Sequence, residues 1–155
     1  MKVIFLDLDG VLNSHSYDRR RNWNELTAID ETRLPILKSI VDATGAKIVF
    51  SSTWREHWDK DLEKCDVDGV YIVETFAKYG LEIYDKTPNL GICAERRDEI
   101  KSWLEGAADI ESFVIIDDYR YNWGELAKNF VKTNPNFGLG LEEEHAKIAI
   151  EILNN

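Results

Sequence analysis

Cysteine is scarce in this 155-residue chain, with Cys65 and Cys93 the only two. Neither belongs to a CxxC pair or lies near a histidine pattern. They read as ordinary reduced thiols, and neither a zinc site, a disulfide nor redox chemistry is expected. No apolar stretch approaches membrane-spanning length, and the first residues run into a strand-like segment without the regions of a signal peptide. That predicts a cytoplasmic protein with no membrane partner. Positive charge is also short, with 19 Lys and Arg against 29 Asp and Glu and a formal net charge of −10. A phosphate backbone would be repelled over most of such a surface, so broad nucleic-acid binding is disfavoured and only a local basic patch could overcome this. No internal repeat, low-complexity segment or linker interrupts the chain, and its length predicts a single domain over 1–155 with a full core.

What is present begins at residues 2–13, KVIFLDLDGVLN. The apolar run Val3, Ile4, Phe5, Leu6 stops on Asp7, followed by Leu8, Asp9 and Gly10, so a buried strand delivers two carboxylates into a loop at its carboxyl end. Neighbouring acids there repel each other and lose hydration, so a bound cation, or a reaction that uses both, is the expected compensation. Asp7 would stand at the strand tip. Asp9 would lean over the same site once Gly10 lets the loop turn, leaving one acid to attack and the other to move a proton. The plainer alternative is an Asp-Gly turn at the end of a strand.

Farther along, residues 14–27 are polar and include Arg19, Arg20, Arg21 and Trp23, a cluster that could hold a phosphate and stack a base or simply be a solvated loop. Helical spacing follows in Leu34, Leu37, Ile40 and Val41, with Thr32 as cap, Pro35 in the first turn and Gly45 at the end. A second buried run, 47–50, ends in Ser51, Ser52, Thr53, Trp54 and Arg55. Hydroxyls and backbone N–H groups at a strand end leading into a helix form an anion cradle, unless the hydroxyls merely cap that helix. Trp54 and Trp58 read as packing aromatics and His57 as exposed. Residues 70–79 have helical potential and 81–84 suggest a short strand. Residues 95–106 read as a helix burying Ile100, Trp103 and Leu104, with Arg96 near its start, where a cation opposes the helix dipole unless it faces an anion. The run 113–116 ends in Asp117 and Asp118, ahead of an aromatic and basic loop of Tyr119, Arg120, Tyr121 and Trp123. A last strand, 130–133, and a closing helix, 142–153, with Ile148, Ile152 and Leu153 inward and His145 outward, complete the reading.

Apolar runs separated by helical segments imply a parallel sheet whose strand tips share one edge, so Asp7, Asp9, Ser51 and Asp117 are expected to converge there. Oxygen-only donors of this kind suit magnesium.

Together FLDLDGVLN, IVFSS, the Arg96 helix and FVIIDD resemble the four motifs of the haloacid dehalogenase (HAD) superfamily of phosphotransferases. SSTWR, TP, RRDEIKSWL, IIDD and FVKTNPNFGL are similar to the HAD domains of RNA-repair proteins, relatives of polynucleotide phosphatases and deoxyribonucleotidases. The resemblance implies an α/β fold: a three-layer Rossmann-like parallel sheet, helices on both faces, with little or no cap domain and an open site. It further implies a Mg2+-dependent phosphatase in which Asp7 attacks phosphorus to form an aspartyl-phosphate and Asp9 serves as acid and then base. Asp7, Asp9 (through its carbonyl), Asp117 and Asp118 would hold the metal. Ser51, Ser52, Asn13, Arg55 and Arg96 would bind the phosphate or substrate. Arg96 stands where the superfamily commonly has lysine, with Arg97 as the alternate. The substrate expected is a phosphorylated compound, foremost a nucleotide or nucleic-acid end. The alternatives are a small-metabolite phosphatase and a non-catalytic module that binds phosphate or metal.

Overall fold

The computed structural model describes residues 1–15, 28–137 and 139–155. Residues 19–21 and 23, the Arg/Trp cluster, lie outside these. Five strands, β1 (Lys2–Leu6), β2 (Lys47–Phe50), β3 (Ile83–Lys86), β4 (Ser112–Asp117) and β5 (Phe130–Lys132), form one parallel sheet in the order β3-β2-β1-β4-β5. Helices α1 (Leu34–Thr44), α2 (Val67–Ala77), α3 (Arg96–Gly106) and α4 (Glu143–Asn154) cover both faces. The three central strands, β1, β2 and β4, are buried on both sides over most of their length, which is why their sequences are nearly continuous Val, Ile, Leu and Phe, whereas the edge strands β3 and β5 are partly exposed and more polar.

Strand pleating sorts the core into two layers. Ile4, Leu6, Ile48, Phe50, Val114 and Ile116 point toward α1, α2 and α4, where Leu34, Leu37, Ile40, Ile72, Phe76 and Leu153 complete the larger cluster. Val3, Phe5, Val49 and Ile115 point the other way, against Ile100 of α3 and against Trp123 and Leu126 of the loop before β5. Since β1 pairs with β2 and β4, and the chain builds first to one side of it and then to the other, the switch point of the sheet lies between β1 and β4. Open parallel sheets bind ligands at such crevices.

Local signals set most boundaries. Pro35 sits in the first turn of α1 and Gly45 closes it in the left-handed conformation (φ 68°). The predicted Thr32 cap is replaced by Asp30, whose side chain accepts from the Thr32 N–H and caps a short 3-10 turn, Glu31–Arg33, that leads into α1. Where a helix was expected over Trp54 and Trp58 there is only the 3-10 turn Thr53–Glu56. His145 is half-buried rather than outward: its Nδ1 accepts from the Glu142 N–H and closes a capping box on α4.

The inward face of α4 also differs from expectation. Ala146, Ala149 and Leu153 are buried, whereas Ile148 is 42% exposed and Ile152 is half-buried. α4 packs on α1 and β4, and small alanines let the backbones approach where isoleucine would hold them apart. Leu153→Ala should therefore lower unfolding free energy by about 2–5 kcal/mol, and Ile148→Ala by no more than about 0.5 kcal/mol, in urea titrations. The reverse order would mean that α4 is rotated.

Candidate active site

The backbone ladder continues one residue beyond the assigned strands and carries a row of polar side chains across the edge of the sheet. The N–H groups of Thr87, Ser51, Asp7 and Thr133 donate to Phe50, Leu6, Ile116 and Asp117 carbonyls at 3.0–3.1 Å. By strand alternation Asp7, Ser51 and Asp117 follow Phe5, Val49 and Ile115 and so share the α3 face. Arg96, the first residue of α3, meets them there. Its Nη1 lies 3.0 Å from Asp7 Oδ1 and 2.5 Å from Asp117 Oδ2. The cation at a helix start that sequence alone left open thus faces two anions. Arg97, by contrast, pairs with Glu95 and Asp98 and donates to the Asn122 carbonyl.

A tight turn brings in the third carboxylate. Gly10 has φ 77°, and a Cβ there would fall 2.4 Å from Asp118 Oδ2, so only glycine admits the Asp118 side chain against this loop. Ligand oxygens of Asp7, Asp117 and Asp118 all lie within 4.8 Å of one another. Three carboxylates with no nitrogen or sulfur donor fit a hard divalent cation, and the Ser51 hydroxyl, buried and without a hydrogen-bond partner, leaves an unused O–H donor on the same face. The walls of this cleft of about 490 Å³ include Asp7, Asp9, Asn13, Arg96, Asp118, Tyr119 and Tyr121.

Asp9 stands apart from the cluster and is exposed, yet both its oxygens are engaged. The indole N–H of Trp54 donates to Oδ2 at 2.9 Å and the Asn13 amide donates to Oδ1 at 2.9 Å. Asn13 also accepts from the Gly10 N–H and donates to the Ala28 carbonyl, so its amide organises the loop and holds Asp9 instead of standing free for substrate. Trp54 escaped the sequence reading because four-residue spacing to Trp58 suggested packing. Trp58 is indeed buried and Trp54 packs against the core, but the Trp54 indole N–H also serves as a donor.

Ser52 stands close enough to Asp7 to favour its charged form and accepts from the Trp54 N–H, linking the surroundings of the two acids through one turn. Arg55 does not reach the cleft. Its guanidinium is buried, donating to Glu99 Oε1 at 2.7 Å and to the Ser51 carbonyl at 3.1 Å. It braces the end of β2 against α3. A buried cation must find an anion, and Glu99, 44 residues away, supplies it. His57 is likewise engaged, with Nδ1 2.6 Å from Asp66 Oδ2.

Burial, partly offset by the Arg96 charge and reinforced by the neighbouring Asp117 charge, pushes Asp7 up to about 6. Burial likewise raises Asp117 and Asp118, with the Asp7 charge adding to the latter. Burial works against the Arg96 charge, but Asp7 and Asp117 outweigh it and hold the guanidinium above its ordinary value.

This constellation defines the class. A parallel α/β sheet with one acid after β1 and a pair at the end of β4, a hydroxyl after β2 and a cation opening α3 is a HAD-type phosphatase fold, with no separate cap domain among the described residues. A family profile for the HAD domain in Swiss Army Knife RNA repair proteins matches residues 3–146, and the chain belongs to that family. Comparison with curated proteins and with solved structures returned no match. No helix among the described residues is long and apolar enough to cross a membrane.

The raised Asp7 has a consequence for stability. Its folded value of about 6 exceeds the ordinary 3.8, so the native state holds the extra proton between these limits. The associated stability is complete below pH 3.8 and is lost as pH rises through about 6. Asp7→Asn has no such loss. In chelator-treated buffer at pH 7.5 it should be more stable than wild type by about 1–3 kcal/mol, and the gain should vanish near pH 4. Urea midpoints at the two pH values check this; a gain independent of pH would refute it.

Proposed function

We propose that this chain hydrolyses phosphomonoesters in a Mg2+-dependent reaction through an aspartyl-phosphate on Asp7, acting on a nucleotide or a nucleic-acid terminal phosphate. The observation that carries the reading is the meeting of Asp7, Asp118 and Arg96 in one cleft, with Asp117 buried against Arg96 beneath it and a second, separately held acid, Asp9, on its wall. The family's name, which refers to RNA repair, supports the substrate class.

In this reaction an Asp7 carboxylate oxygen attacks phosphorus while the bond from phosphorus to the ester oxygen breaks. Asp9 gives its proton to the departing oxygen. Asp9 then takes a proton from water, which attacks the phosphorus of the acyl phosphate and frees Asp7 and inorganic phosphate. Arg96 and the Ser51 hydroxyl counter the charge on the phosphoryl oxygens. The Asp7, Asp117 and Asp118 carboxylates and the Asp9 carbonyl would hold the magnesium, which supplies Lewis acidity and neutralises charge between nucleophile and phosphate. A module that only binds phosphate has no use for Asp9, yet that side chain is held by two donors, which favours catalysis over binding alone.

Trp54 and Asn13 aim Asp9, and each Asp9 oxygen keeps a second lone pair for the proton in flight. With a series of aryl phosphates, Asp7→Asn should abolish turnover. Asp9→Asn should cost about 10²–10⁴-fold with poor leaving groups and progressively less as the leaving group improves. Trp54→Phe should show the same slope against leaving-group basicity at about a tenth of the loss, because it removes the N–H and keeps the ring. A loss in Trp54→Phe that is uniform across the series would reduce Trp54 to packing, and unchanged turnover in Asp7→Asn would remove the covalent mechanism.

A further inference from the structure

Of the nine large apolar side chains exposed among the described residues, Tyr119, 61% exposed, is the one on the wall of the catalytic cleft. It is the outer end of an aromatic column. Phe130 contacts buried Trp123 at 5.0 Å, Trp123 meets Tyr121 edge-on at 5.4 Å, and Tyr121 meets Tyr119 at 4.7 Å between ring centres. Tyr121 is also covered by the Arg96 guanidinium, 5.4 Å from its ring centre. The backbone fixes the same loop: the Tyr119 N–H donates to Asp117 Oδ1 at 2.8 Å, and the Tyr121 N–H donates to the Tyr119 carbonyl at 3.1 Å. An exposed ring is thus held two residues from the carboxylate that faces Arg96.

We propose that Tyr119 is a stacking platform for the nucleobase next to the scissile phosphate, so the substrate class of this site is a phosphate monoester borne by a nucleoside. This rests on the phosphatase reading and adds the base subsite to it. The electrostatics favour recognition of this kind. The cleft is lined by Asp7, Asp9 and Asp118, and its buried cation, Arg96, is committed to Asp7 and Asp117. With a net charge of −10, further backbone phosphates are a poor handle. An uncharged π-face avoids that repulsion, accepts any base, and loses little entropy because the column already orders it.

The test compares kcat/KM for ribose 5-phosphate, the matching nucleoside 5′-monophosphate and a short oligonucleotide with a terminal phosphate. Tyr119→Ala should lower the nucleotide-over-ribose-phosphate preference by about tenfold, the scale of one base–aromatic stack. Tyr119→Phe should keep that preference within about twofold, and Tyr119→Leu, apolar but without a π-face, should behave as Ala. A drop in either nucleotide arm supports the platform, and the arm that shows it tells mononucleotide from polynucleotide end. A preference unchanged by Tyr119→Ala in both arms, or retained by Tyr119→Leu, overturns it. Should wild type hydrolyse none of these esters, the phosphatase reading fails and calorimetry of nucleoside monophosphate binding decides the subsite. Binding weakened about tenfold by Tyr119→Ala keeps the stack, and binding that is absent or unaffected discards it.

Discussion

Two buried carboxylates on adjacent strands, Asp7 and Asp117, share one guanidinium, and the rest of the architecture can be read as what that arrangement requires. Burying like charges side by side is costly in a low-dielectric interior. Arg96 offsets the cost because α3 crosses the same face of the sheet and starts at that edge. The offset is incomplete, since Asp7, Asp117 and Asp118 all remain raised. A cluster that its own protein under-neutralises is suited to a divalent cation and an anionic substrate bound together.

Around that centre the fold divides labour by strand position. β1, β2 and β4 each end in polar residues of one row, so three side chains far apart in sequence are set by backbone hydrogen bonds rather than by flexible loops. Rigid placement of this kind lets a site act without reorganising. The loop after β1 is held as firmly, with Gly10 giving Asp118 its space and Asn13 and Trp54 gripping Asp9. Arg55 and Glu99 tie the turn after β2 to α3, so the helix bearing Arg96 and the strand end bearing Ser51 are one brace.

Much of this was legible in sequence because it is local. Continuous apolar runs that stop on Asp or Ser reveal buried strands and their polar tips, and Gly45 and Pro35 mark the ends of α1 through backbone chemistry that depends on no distant residue. The readings that changed depend on partners remote in the chain. Arg55 resembles a ligand until Glu99 is brought to it, and Trp54, which does pack on the core, shows its second role only when Asp9 lies across from its indole. Ile148 looks inward until α1 is packed against the alanine side of α4. Periodicity gives the width of an apolar face, and packing decides which residues lie at its centre.

The central claim is that Asp7, Asp117 and Asp118 form one cation site at the switch point of the sheet. A second group, His57, Asp66 and Asp68, also brings ligand atoms within 4.8 Å of one another, so the claim has an internal competitor. Calorimetric titration of Mg2+ into wild type, Asp117→Asn and Asp66→Asn separates them. The account predicts one ion per chain in wild type, binding at least tenfold weaker in Asp117→Asn, and no change in Asp66→Asn. Binding that survives Asp117→Asn, or that is lost in Asp66→Asn, would contradict it.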